Sequence, residues 1–348
     1  MRRYGAEDLR QVALGTLLAV GTHPDDAAQV AESLIDGNLT GHDSHGVIRL
    51  PLYIEAARLG HVHAAERAEV VKRKGATAVI DAKIGYGQPG MWLGTNVALE
   101  IVREIGVATT AVQRSYHIGR VAPYVEAIAR AGFIGIALAN CAPAVAPFGG
   151  RGRVFGTNPF AWAVPRANGQ APLSHDIATA AIAEGKLKVA RAKGVSVAPG
   201  LIVDSLGEPS TNPNDFYDGG SILAFGGHKG SGISMLAQIL GRGLAGMDPS
   251  SYDGPRGVNG PVVIAIDPEC FAPLDEFIAD VEAQCEAVLA SPPSAGVDEI
   301  LLPGQPEQRA RVERERDGVP VADATVAELE VLCAQAGISM PEPVGGDV

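Results

Sequence analysis

Residues 76–112, ATAVIDAKIGYGQPGMWLGTNVALEIVREIGVATTAV, change hydrophobic period twice. Ala76 to Asp81 is β-branched and strand-like, Trp92 to Ile105 repeats at helical spacing, and Val107 to Val112 is again strand-like. A strand, a helix and a strand in succession predict an α/β sheet covered by helices. Between the first two lies Gly85-Tyr86-Gly87-Gln88-Pro89-Gly90, a GxGxxG placed where a dinucleotide fingerprint belongs. Three details oppose that reading. Asp81 to Ile84 separates the strand from the first glycine, and Pro89 removes an amide donor from any phosphate cradle. After the second strand come Gln113 and Arg114, where a ribose-binding acid is expected. The segment therefore reads as a glycine-rich turn.

Downstream, a helix is expected over Arg120 to Ala131, closed by Gly132, and a strand over Phe133 to Ala139. Further strands are predicted at Phe160 to Val164 and Val262 to Ile266. Further helices are predicted at Ala178 to Lys193, Gly230 to Leu244, Leu274 to Ala290 and Ala324 to Ala336. Upstream, residues 6–60 read as three helices. They are Ala6 to Val20, a second capped by Thr22 with Gly37 past its end, and Pro51 to Leu59. The change of texture near residue 70 marks a boundary, with a weaker one at Ser291-Pro292-Pro293-Ser294. A helical region 1–70 and an α/β domain 71–294 follow.

The 348 residues carry a net charge of −12, which disfavours a nucleic-acid surface or an anionic membrane as partner. Four cysteines, Cys141, Cys270, Cys285 and Cys333, form no CxxC pair, so neither a zinc knuckle nor a disulfide framework is expected and a reducing cytoplasm fits. No apolar run reaches membrane-spanning length, and Glu7, Asp8 and Arg10 oppose a signal peptide.

The chemistry concentrates in Gly41-His42-Asp43-Ser44-His45-Gly46-Val47-Ile48-Arg49-Leu50-Pro51. Reduction of a 2-oxo acid needs a proton donor poised near neutrality and a clamp for the carboxylate. His45 supplies the first and the planar fork of Arg49 the second, with Ser44 placed to fix the imidazole tautomer or relay its proton. The same residues also suit a surface loop entering a helix, with Pro51 at the first helical position and Gly60 at the end. His117, in Arg114-Ser115-Tyr116-His117-Ile118-Gly119-Arg120, sits at a strand-to-helix switch, where ligands bind and a helix N-terminus keeps an imidazole neutral. Gly226-Gly227-His228-Lys229-Gly230-Ser231-Gly232 opens a helix and suits a phosphate, although it is not a Walker sequence. Asp176 is read first as the cap of the helix that follows it and second as a ribose ligand. Gly156-Thr157-Asn158-Pro159 has the composition of a turn. No histidine pair acquires a metal-binding shell, so no metal is expected.

Together these motifs resemble the type-2 malate/L-lactate dehydrogenase family, which also includes ureidoglycolate, sulfolactate and hydroxycarboxylate dehydrogenases and cyclic imino-acid reductases. The matching segments are DSHGVIRLPLY at 43–53, HIG at 117–119 and ALANCAPAVAPFGGRGRVFGTNP at 137–159. HDIATAAIAEGK at 175–186, GGHKGSG at 226–232 and LPGQPE at 302–307 complete the set in order along the chain. The resemblance implies NAD, with NADP as the alternative, on a non-Rossmann mixed-sheet fold, usually in a homodimer, with the C-terminal segment 295–348 packed on the helical region. It implies cofactor contacts from His45, His117, Ile118, Gly119, Cys141, His175, Asp176, Ile177, Ala178, Thr179, His228, Lys229, Asn259, Leu302, Pro303, Gly304 and Gln305.

It further implies that Arg49 holds the substrate carboxylate, that Thr157 lies near the substrate, and that His45 or His117 is the acid/base. The chain departs from the family at Cys141, where many relatives have serine, and at Gln305, where glutamate is common. Lys186 lies where the imino-acid reductases place a catalytic aspartate, which points toward a hydroxy acid. The expected activity is interconversion of a small 2-hydroxy acid and its 2-oxo acid. The alternatives are reduction of a cyclic imino acid or diketo-sugar acid, and nucleotide binding without catalysis. NAD is preferred because Asp176 would repel a 2′-phosphate, although neighbouring His175 would tolerate one.

Overall fold

The structure, a computed structural model, describes residues 1–247 and 258–344. Its centre is a seven-stranded mixed sheet. The strands, in spatial order, are Glu69–Lys74, Thr77–Asp81, Val107–Gln113, Gly260–Ile266, Ile134–Asn140, Pro159–Val164 and Leu173–Ala178. Thr77–Asp81 and Val107–Gln113 run parallel, and every other pairing in this sheet is antiparallel. Gly260–Ile266 arrives from late in the chain and inserts between Val107–Gln113 and Ile134–Asn140.

Both faces of the sheet are covered, which explains why the central strands read as near-continuous apolar runs. Alternation sorts their side chains. Ala137, Ala139, Ala161, Ala163, Val263 and Ala265 pack with helices Gly87–Ile105 and Ala122–Arg130. Leu138, Val262, Phe160 and Ile264 join Ala237 and Leu240 of helix His228–Gly243 on the other face. The alanine-rich first face brings its two helices close, while the second carries the larger side chains.

The first and last parts of the chain form a second core. Strand Arg2–Tyr4 pairs antiparallel with Val319–Val321. Helices Ala6–Ala19, Pro24–Leu39, Leu50–Arg58 and Asp323–Ala336 bury Leu9, Leu17, Leu34, Leu50, Tyr53 and Leu329 together. Tyr86 and Tyr116, which follow the C-terminal ends of the two parallel strands, enter this core, so the two cores meet at tyrosines. A small three-stranded sheet of Ile202–Val203, Pro209–Ser210 and Ser221–Ile222 packs with helix Glu184–Lys193.

Several boundaries differ from the sequence reading. The second helix runs from Pro24 to Leu39, with His23 rather than Thr22 at its cap, and Gly37 lies inside it. Gly37 serves packing instead, because a Cβ there would stand 2.8 Å from the His45 carbonyl oxygen. The glycine-rich stretch is not a turn: Gly87, Gln88, Pro89 and Gly90 form the first turn of helix Gly87–Ile105. A Cβ on Gly87 would fall on the carbonyl oxygens of Tyr116 and His117, so this glycine seats the His117 loop. The expected helix 178–193 divides into strand Leu173–Ala178 and helix Glu184–Lys193. Helix Gln305–Asp317, which buries no residue completely and lacks an apolar stripe, went unread.

Candidate functional site

The turn Asp43–His45 and the turn Val47–Arg49 lead directly into helix Leu50–Arg58. Asn38 fixes both turns, donating to Asp43 Oδ1 at 2.8 Å and accepting from the Val47 amide at 2.8 Å. Helix Gln305–Asp317 braces them from the far end of the chain. Arg314 donates to Asp43 at 2.6 Å, and Glu307 meets His42 Nε2 at 3.2 Å. The site's entrance turn is thereby held by residues more than 260 positions away in sequence.

On this frame Ser44 Oγ lies 3.1 Å from His45 Nδ1, and Arg49 Nε donates to the Ser44 carbonyl at 2.7 Å. His117 arrives on the loop after strand Val107–Gln113, and its ring stacks near His45 with centroids 5.6 Å apart and planes at 23°. The folded chain thus brings residues 44–49 and the imidazole at 117 together. Both rings are half-buried, and neither Nε2 has a hydrogen-bond partner among the described residues. Burial first, then the positive charge of Arg49, pushes His45 down to about 3 from 6.5. The same causes, with His45 added, hold His117 well below its ordinary value. Both imidazoles are neutral at pH 7. Arg49 itself has no carboxylate partner among the described residues, and its two Nη groups make no hydrogen bond there. A half-buried cation beside two neutral imidazoles makes an anion site.

Tyr53 and Gln88 were missed from the sequence. The Tyr53 hydroxyl lies 2.6 Å from His117 Nδ1 and accepts from Gln88 Nε2 at 3.0 Å. Tyr53 stands four residues after Arg49, one helical turn on, which was the available signal. Its place in the apolar stripe of helix Leu50–Arg58 hid it, and Gln88 was hidden inside the glycine pattern.

Behind the imidazoles Asn259 holds several segments together. It accepts from the Ile118 amide at 3.3 Å and donates to the Asn140 carbonyl at 2.9 Å and to Cys141 Sγ at 3.3 Å. Burial raises the Cys141 thiol, which also hydrogen-bonds Thr157. The Thr157 carbonyl accepts from the Thr179 amide at 2.8 Å and hydroxyl at 3.1 Å.

A cavity of about 390 Å³ collects the second group of expected residues: His175, Asp176 and Ile177 from strand Leu173–Ala178, and Leu302, Pro303 and Gly304. Arg120 also lines it. Asp176 is a cap, but of a different helix from the one expected. Its Oδ2 accepts from the amides of Val121 and Ala122, both at 2.8 Å, at the entry of Ala122–Arg130. The strand reaches across to that helix, a contact that sequence order conceals. Gln305, the first residue of its helix, turns its side chain back to accept from the Leu302 amide at 2.7 Å. Ala178 ends its strand beside these residues. His228 and Lys229 stand apart, exposed at the start of helix His228–Gly243, with the His228 ring 5.7 Å from Phe148. Lys186 is exposed in helix Glu184–Lys193, whose Gly185 lies against Ser44.

A family model described as malate/L-lactate dehydrogenase matches residues 4–330. The chain belongs to that family. It is 37% identical to hydroxycarboxylate dehydrogenase B of Escherichia coli K12, over 98% of this chain and 95% of the relative. It is 33% identical to L-sulfolactate dehydrogenase of Methanocaldococcus jannaschii, over 97% of this chain and 98% of the relative. The solved structure of a putative malate/lactate dehydrogenase from E. coli superposes with a TM-score of 0.90 at 36% identity, covering 98% of this chain and 97% of that one. The mixed α/β fold is thus the one seen in malate/lactate dehydrogenase structures. No helix among the described residues is long and apolar enough to cross a membrane.

Proposed function

We propose that this protein is an NAD(P)-dependent dehydrogenase that interconverts a small 2-hydroxy acid and its 2-oxo acid. The observation that carries this reading is the Arg49 guanidinium, half-buried and without an acid partner, beside the stacked neutral imidazoles of His45 and His117. A substrate carboxylate completes the charge of Arg49 through its free Nη groups, in the two-pronged geometry that guanidinium favours. The substrate's C2 oxygen then falls to an imidazole Nε2, where a proton is held or moved. Ser44 and Tyr53 orient the two rings through Nδ1, and Thr157 borders the substrate.

The chain has features that suit the nucleotide. Arg120, almost wholly buried and paired through Nη1 with Asp36, lines the 390 Å³ cavity and brings a positive charge to its wall, which suits a phosphate. Gly304 lines the same cavity, and a Cβ there would approach Ser174 Oγ to 3.0 Å, so backbone forms this part of the wall. When bound, the nicotinamide supplies the hydride for reduction and takes it in oxidation. His175 to Thr179, Leu302 to Gln305 and the His117 to Gly119 loop hold the nucleotide, with Cys141, Asn259, His228 and Lys229 contributing, in a sheet that does without a Rossmann phosphate loop. Support for the last point is that backbone carbonyls block the space in front of Gly87. NAD is preferred over NADP because the Asp176 carboxylate borders the cavity.

Residues 1–70 with the described part of 295–348, through residue 344, form one packing unit and the described part of 71–294 the other, a division supported by the pairing of Arg2–Tyr4 with Val319–Val321. A second copy covers the apolar face of helix His228–Gly243, where Met235, Leu236 and Ile239 are each about half exposed. A reducing, cytoplasmic setting suits four free cysteines. The test is an oxidation screen with NADH and NADPH over 2-oxo acids, diketo-sugar acids and cyclic imines. Turnover confined to 2-oxo acids is expected. Turnover of imines alone, or tight NADH binding with no turnover, overturns the reading.

A further inference from the structure

The neutral imidazole of His117 has two possible tautomers, and its surroundings permit one. The Gly119 amide points at His117 Nδ1 from 3.3 Å. A backbone N–H can only donate, so Nδ1 must present a lone pair. The Tyr53 hydroxyl, 2.6 Å from that same nitrogen, therefore donates to it. The phenol oxygen is then free to accept, and Gln88 Nε2 donates to it at 3.0 Å. Turning the Gln88 amide over would reverse the chain, making Tyr53 donate to Gln88 and accept from a protonated Nδ1. That arrangement would set the Nδ1 proton against the Gly119 N–H. The direction of the whole chain, Gln88 to Tyr53 to His117, is thus decided by one amide that cannot turn.

We propose that Tyr53 is a positioning residue that locks His117 in the Nε2–H tautomer, so that this ring presents a hydrogen-bond donor to the C2 oxygen of the substrate. The assignment rests on the reading of the protein as a 2-hydroxy acid dehydrogenase for its consequence, though not for its geometry. Tyr53 and Gln88 are fully buried, so no exchange of partners with bulk water competes. Tyr53 also packs edge-on to Tyr116 at 5.8 Å, which pins the ring that carries the hydroxyl. A neutral imidazole with its proton on the ligand side polarises a carbonyl without carrying charge, and it does so at any pH where both rings stay neutral.

The experiment is nitrogen NMR of the full-length protein labelled with ¹⁵N-histidine, the His117 signals being identified by their loss in His117→Asn. At pH 7 the wild type should show a protonated Nε2 and a bare Nδ1 at His117. Tyr53→Phe keeps the ring and removes the hydroxyl, and should yield a mixture of both tautomers. With it, kcat for 2-oxo acid reduction should fall about tenfold or more while KM moves less than about threefold. If the orphaned Gln88 amide prevents folding of that variant, Tyr53→Phe combined with Gln88→Leu removes the orphan and should give the same mixture. A protonated Nδ1 in the wild type, or an unchanged tautomer in these variants, overturns the proposal. Should no 2-oxo acid be reduced while the tautomer behaves as stated, the dehydrogenase reading fails and the role of Tyr53 in fixing the ring stands.

Discussion

Arg49 is a cation whose only side-chain hydrogen bond among the described residues leaves from Nε, to the carbonyl of Ser44. That bond aims the fork without neutralising it. Arg49→Ala should therefore raise KM for the oxo acid and lower kcat, because binding and alignment depend on the same group. Losing one partner of a desolvated charge pair costs about 2–5 kcal/mol, so kcat/KM should drop by roughly 30-fold or more in steady-state assays. An unchanged kcat/KM removes the clamp. His45 carries a second prediction, about acid. Unfolded it titrates near 6.5, and folded near 3. Between those values the unfolded chain takes up a proton that the folded chain refuses, so stability falls as pH drops below about 6.5 and this contribution is constant above it. His117 acts with the same sign. The urea midpoint should fall from pH 7 to pH 5, and His45→Asn should flatten that fall.

At the level of elements, Asp176 ties strand Leu173–Ala178 to the start of helix Ala122–Arg130. Asp176→Ala should destabilise by about 0.5–2 kcal/mol in urea unfolding, the usual cost of an N-cap. Asp176→Asn keeps an acceptor oxygen and should retain most of that stability while relaxing any preference for NADH over NADPH. Equal losses in the two variants would assign the effect to charge rather than capping. The glycines also acquire their meaning at this scale. Gly37 and Gly87 sit inside helices, against the expectation that glycine ends or interrupts them, because each lies where another backbone comes too close for a side chain. Local propensity marks such a residue as a break. Packing retains it as a contact point.

For the whole molecule, the apolar face of helix His228–Gly243 gives the last prediction. The wild type should scatter light as twice the 35.9 kDa chain, and Ile239→Glu should shift it toward the monomer. A monomeric wild type ends that proposal. Much of this molecule was legible before folding. Short apolar runs opening just after Gly106 and Gly132 marked the strands 107–113 and 134–140 nearly to their ends, since a run of that length between turn residues suits a strand buried on both faces. Ser44, His45 and Arg49 were legible as chemistry because they lie within six positions of one another. What sequence order alone left open is whatever depends on distant partners. The Gly260–Ile266 strand lies between two strands 120 or more residues earlier, and helix Gln305–Asp317, polar all round, takes its place through Arg311 and Arg314 bonding to Asp36 and Asp43. Residue type and spacing set which local structures form and which groups can do chemistry. Only the tertiary structure decided that Tyr53, backed by Gln88, and the Gly119 amide converge on one imidazole nitrogen, because hydrogen bonds join atoms that are near in space whatever their separation along the chain.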